Sequence, residues 1–186
     1  SRRYELAGPR TTVPAPEVLS SPIYYPTAVI ESSGGTIFFV EQAARTVREY
    51  DPAQGITSLF RMGGPALRSR EETPAVGQVE TLRAGNPCAL AFDLLEKLYV
   101  CDVFRGVILR IDRVTKRFER VTLMQGSMES PVGGMPLAAA FGPDGTAWLA
   151  DGASRSIQGF SVLQDGSWYP LYARLSGLDG DRLKMP

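Results

Sequence analysis

The sequence contains no histidine. That absence removes Ser-His-Asp triads, histidine general bases and histidine metal ligands from this chain in one step. Cysteine is scarce: Cys88 and Cys101 are too few for a four-cysteine zinc site. The single asparagine, Asn86, is followed by Pro87, so no N-glycosylation acceptor exists. Net charge is missing as well, with Lys+Arg and Asp+Glu both at 20. A chain that grips nucleic acid through phosphates normally carries a basic surplus, so its balance argues against nucleic acid as a partner. No apolar run approaches the ~20 residues that span a bilayer, and the longest, such as Ile37–Val40, are strand-sized. The N-terminus lacks the charged-then-apolar pattern of a signal peptide. Gly63-Gly64-Pro65 and Gly133-Gly134 lack the spacing of a phosphate-binding loop.

What is present is a repeat. Among 186 residues, 44% of them hydrophobic, three segments align without a gap from Pro26, Pro87 and Pro136. Two places on come Ala28, Ala89 and Ala138. Aromatic-led runs follow: Phe38-Phe39-Val40, Tyr99-Val100-Cys101 and Trp148-Leu149-Ala150. Each run ends in an acid, Glu41, Asp102 or Asp151. Val47, Ile108 and Ile157 match, as do Tyr50, Ile111 and Phe160. Each unit predicts a short apolar strand, a four-residue turn (Ser32–Gly35, Asp93–Glu96, Gly142–Gly145), the aromatic strand and a third strand. A fourth strand is expected at Ile56–Arg61, Phe118–Leu123 and Trp168–Ala173. The first two strands are apolar on both faces, as a sheet stacked between two others requires. The expected fold class is therefore all-β: a β-propeller with three four-stranded antiparallel blades plus a leading strand.

These residues resemble NHL repeats. Leu98-Tyr99-Val100-Cys101-Asp102 and Ala147-Trp148-Leu149-Ala150-Asp151 carry the pattern best, and Tyr4-Glu5-Leu6-Ala7-Gly8 resembles the strand that closes such a blade. The sequence departs from the family pattern in lacking a Gly after the initial Pro and an Asn-His-Arg before the third strand. The resemblance implies a ring of about six blades, of which three units form a part. The expectation is a piece of a longer protein, or a half-ring completed by another chain. The single partial propeller over 1–186 divides as the end of a preceding blade and linker (1–25), blade one (26–61), an inter-blade insert (62–85) and blade two (86–123). A second insert (124–135), blade three (136–175) and a connector to a following blade (176–186) complete it.

Four groups of residues are candidates for function. A four-residue turn at Asp93–Glu96 would set Cys88 directly opposite Cys101, with Cβ atoms about 4.5–5.5 Å apart. Both a cross-strand disulfide and two buried thiols fit that placement. Glu41, Asp102 and Asp151 form a possible carboxylate ring, and Ca²⁺ is the cofactor it would suit. In a repeat, the same residues in every unit serve the unit itself, as caps on loop N–H groups or as partners of Arg45, Arg105 and Arg155. Those arginines are candidate contacts for a phosphate or for a partner's carboxylates. Arg68, Arg70, Glu71 and Glu72, in the long insert, are the remaining candidates for partner contact. With no catalytic residue identifiable, the expected function is a non-catalytic scaffold for protein–protein interaction within a larger assembly. Its partners would be proteins or the remaining blades. The alternative is a fragment of a metal-dependent propeller lyase or gluconolactonase-like hydrolase, whose catalytic residues lie in the missing blades.

Overall fold

A computed structural model describes residues 25–51, 55–60, 73–82, 85–125, 128–131 and 134–176. Tyr4–Gly8 and the rest of 1–24 lie outside them, as does the 176–186 connector after its first residue. Sheet one is β1 (Pro26–Glu31), β2 (Ile37–Glu41), β3 (Thr46–Asp51) and β4 (Gly55–Phe60), in that order. Sheet two contains β5 (Val76–Gln78), β6 (Pro87–Phe92), β7 (Leu98–Asp102), β8 (Val107–Asp112) and β9 (Arg117–Arg120), in the order β5-β9-β8-β7-β6. Sheet three contains β10 (Thr122–Gln125), β11 (Met128–Pro131), β12 (Pro136–Phe141), β13 (Ala147–Asp151), β14 (Ser156–Val162) and β15 (Trp168–Ser176). Its order is β11-β10-β15-β14-β13-β12. The first strands β1, β6 and β12 pack side by side, so the sheets stand edge-in like propeller blades. Among the described residues, no helix is long and apolar enough to cross a membrane.

The pleat explains why both faces are apolar. Phe38 and Val47 pack toward blade two, in one core cluster with Leu98 and Val100. The same repeat positions in blade two, Tyr99 and Ile108, pack toward blade three, in a second cluster with Ala147 and Leu149. In blade three those positions are Trp148, half-buried, and Ile157, 43% exposed. Successive residues of each strand thus face the preceding and the following blade in turn. Blade two is covered on both sides at β7, where every residue is buried.

The register departs from expectation by one residue. Each first turn holds five residues, so Ala89, not Cys88, lies opposite Cys101. Asp93 N–H donates to Lys97 O (3.2 Å), Glu96 N–H donates to Asp93 O (3.0 Å), and Glu96 is left-handed at φ 59°. This is a G1-bulge hairpin, with Gly35 and Gly145 in the left-handed place of the sister units. A second irregularity falls between Pro87 and Ala89 and lets Pro87 pair with Asp102. Cys88 is the residue left over.

Two other segments differ from their expected roles. The expected strand Phe118–Leu123 divides at Val121. Arg120 N–H donates to Ala75 O (2.7 Å) on the β5 side, while Val121 N–H donates to Ile108 O (2.9 Å) on the β8 side. The chain then leaves blade two, and β10 meets β15 of blade three through the parallel pair Leu123 and Trp168. The insert 62–85 is also not a pendent loop throughout. β5 pairs with β9, and Val79 and Leu82 on either end of a 3-10 turn are core residues at 2% exposure.

Candidate functional site

The repeated acids end the second strands, where the chain must turn into the loop before the third. Asp102, wholly buried, accepts hydrogen bonds from the N–H groups of Gly85 (2.6 Å), Asn86 (2.9 Å) and Arg105 (3.0 Å). Asp151 accepts from Met135 (2.7 Å), Ala153 (3.1 Å) and Ser154 (3.1 Å). Each carboxylate therefore ties its own loop to the segment that enters the blade. Gly85 and Gly134 make the approach possible, because a Cβ there would lie 2.8 Å from Asp102 Oδ1 and 2.6 Å from Asp151 Oδ1. Burial pushes the Asp151 carboxyl up, but the Ser154, Met135 and Ala153 hydrogen bonds outweigh it and hold the group below its ordinary value. Glu41, wholly buried, forms an ion pair with Arg48. Among the described residues, no three of the Cys, Asp and Glu side chains converge as a metal site.

Arg45, Arg105 and Arg155 do not occupy equivalent places. Arg45 (φ 52°) and Arg155 (φ 51°) take the left-handed position that blade two fills with Gly106 (φ 68°). Arg105 sits one residue earlier, and its Nη1 donates to Thr73 Oγ1 at 2.6 Å, fastening the insert to the blade. Arg155 is exposed and Arg45 half-buried. Arg68, Arg70, Glu71 and Glu72 lie outside the described residues.

The disulfide expectation is corrected: Cys88 and Cys101 are free thiols. The extra turn residue explains the change, because it moves Cys88 out of register and into the bulge. There its sulfur lies 3.3 Å from Pro136 O and 3.5 Å from Cys101 O. Burial pushes both thiols up in pKa, which suits small packing residues better than nucleophiles.

Two clefts open between blades two and three on the face that carries the first turns, and Arg110 lines both. The larger, about 320 Å³, is polar and includes Glu119, Arg120 and Asp165. The smaller, about 190 Å³, is walled by Leu94, Leu95, Phe141, Val162 and Leu163. Tyr99 lies at its base among aromatic rings, 4.6 Å from Phe141 and 5.8 Å from Trp168 between centroids. The Tyr99 phenol donates to Asp93 Oδ2 at 3.2 Å. Burial, then the charge of Asp93, pushes that phenol well above its ordinary value, so it stays neutral. Arg110 Nη1 lies 3.5 Å from Glu119. This arrangement can hold an apolar group beside charges; it offers no activated nucleophile. From sequence, Leu94 and Leu95 are two residues of a turn and Tyr99 a repeat aromatic. The available signal was the Leu-Leu pair itself, where turn chemistry favours Gly, Asn, Asp, Ser or Pro.

No protein-family model matches the sequence, and no curated protein matches it. Solved structures do resemble the fold. Virginiamycin B lyase from Staphylococcus aureus superposes with a TM-score of 0.57 at 12% identity, over 86% of this chain and 44% of that one. A putative 6-phosphogluconolactonase from Bacteroides fragilis gives 0.52 at 17%, over 84% and 40%. A chain of the nidogen/laminin complex gives 0.53 at 11%, over 83% and 48%. These neighbours are β-propeller proteins, and this chain has their fold while spanning less than half their length.

Proposed function

We propose that this chain belongs to an NHL-type propeller of more than three blades and acts as a non-catalytic scaffold for protein–protein interaction within a larger assembly. The observation that carries the reading is how the repeated acids are used. A metal-dependent propeller enzyme would aim its carboxylates at a shared ion; here Asp102 and Asp151 are committed to loop N–H groups and Glu41 to Arg48. A nidogen/laminin complex among the structural neighbours is consistent with a partner-binding role for this fold. Arg155 on its exposed loop and Arg68, Arg70, Glu71 and Glu72 in the insert remain proposed partner contacts.

The competing reading is a piece of a metal-dependent propeller enzyme, with Ca²⁺ held by Glu41, Asp102 and Asp151. Calorimetric titration of EDTA-treated protein with Ca²⁺ separates the two. The scaffold reading expects no saturable heat and an unchanged thermal midpoint. A stoichiometric Ca²⁺ site abolished by Asp102→Asn would overturn it.

A further inference from the structure

The β6–β7 turn of blade two breaks a local rule. Its middle residues, Leu94 and Leu95, are 62% and 73% exposed. The sister turns carry Ser33-Gly34 and Pro143-Asp144 at those places. The turn does not need leucine, because Asp93 Oδ1 accepts the N–H groups of Leu95 and Lys97, both at 2.9 Å. Two exposed leucines expose apolar surface to water without a compensating gain to the fold, which is how a functional surface departs from folding rules. They also do not stand alone. Leu163, on the β14–β15 turn of blade three, is 43% exposed and faces the same 190 Å³ depression. An apolar cavity of about 150 Å³ accepts a benzene-sized group, so this depression has room for one leucine or phenylalanine side chain.

The charges around the depression have a sign. Asp93 lines it, Asp144 adjoins its Gly145 wall, and Asp165 follows Gln164 at its edge. Among the described residues, Asp144 accepts from Thr146 and Asp165 from Ser167 N–H, and neither pairs with a cation. Among the described residues Arg110 is the one base in the lining, and Glu119 lies against it. Anchored association works through a side chain buried in a pocket, with charge at the rim steering encounter.

We propose that this depression receives one apolar side chain from a partner protein segment whose flanking residues are basic. The proposal rests on the interaction-module reading and names the class of its partner. The probe is the capped peptide acetyl-Lys-Arg-Phe-Leu-Arg-Lys-amide, titrated into ¹⁵N-labelled protein and followed by amide shifts. Two control peptides replace the basic residues by Glu, or Phe-Leu by Gly-Gly. Saturable shifts centred on Leu94, Leu95, Gly145 and Leu163 are expected from the basic apolar peptide, weakened at least fivefold in both controls. Leu94→Ser with Leu95→Ser should weaken binding by a similar factor and leave the thermal midpoint unchanged. Equal binding of either control, no saturable shift at millimolar peptide, or shifts centred elsewhere would overturn the proposal. Shifts of the same amides with protein concentration alone would assign the surface to a second copy and also overturn it. Failure here with no Ca²⁺ site leaves the scaffold reading standing; a Ca²⁺ site removes that reading first.

Discussion

Arg45 and Arg155 show how a single residue can carry a cost that the repeat pattern conceals. Both sit at φ near +50°, where blade two has Gly106. An L-residue with a side chain loses roughly 1–2 kcal/mol in that region, whereas glycine adds about 0.4–1 kcal/mol of unfolded-chain entropy. For exposed Arg155 the first effect wins. Arg155→Gly should therefore raise stability by about 0.5–1 kcal/mol in urea denaturation, and a loss of stability would mean that the guanidinium makes contacts the loop geometry does not suggest. Sequence placed these arginines on the right loops but as equivalents, because Arg105 is offset by one position from the other two. The ungapped repeat sets Gly106, not Arg105, at the place of Arg45 and Arg155, and the left-handed backbone there shows why the offset matters. The acids were legible as repeat features with two open roles. Neither Gly85 nor Gly134, whose missing Cβ atoms admit the carboxylates, could be linked to them without the fold.

At the level of the element, a hairpin's register depends on one residue in its turn. The strands themselves were readable: alternating faces and aromatic second strands follow from the pattern, whereas the partner of Ala89 did not. The count of turn residues was not, because Asp-Leu-Leu-Glu carries no glycine to mark the left-handed place that Glu96 takes. The same hairpin presents Tyr99, whose hydroxyl is sealed against Asp93. Its folded pKa is raised above the unfolded value near 10, so the stability it contributes is complete below pH 10 and declines as pH rises beyond it. Tyr99→Phe should cost about 1 kcal/mol at pH 7, from the lost hydrogen bond. Above pH 10 it should make stability less steeply dependent on pH than in the parent. An unchanged alkaline slope would show that another group, not Tyr99, governs unfolding there.

For the molecule as a whole, the repeat makes one position into three experiments. Val47, Ile108 and Ile157 are the same strand residue in successive blades; Val47 and Ile108 each pack against the blade that follows, and Ile157 takes the same place on blade three. Val47 and Ile108 are wholly buried because a following blade is present; Ile157 is 43% exposed on the open flank of blade three. Val29 on the opposite flank, at 72% exposure, is the counterpart of Leu90, which packs against blade one. Truncating a buried isoleucine to alanine costs about 2–5 kcal/mol, because transfer free energy is lost and a cavity remains. Ile108→Ala should fall in that range. Ile157→Ala in the same chain should cost less than about 1 kcal/mol, since water already reaches the side chain. Chemical denaturation at two protein concentrations reads both. Should Ile157→Ala cost as much as Ile108→Ala, with a midpoint that rises with concentration, the open flank is covered by association. Ile157→Asp would then dissociate the assembly while leaving the three blades folded.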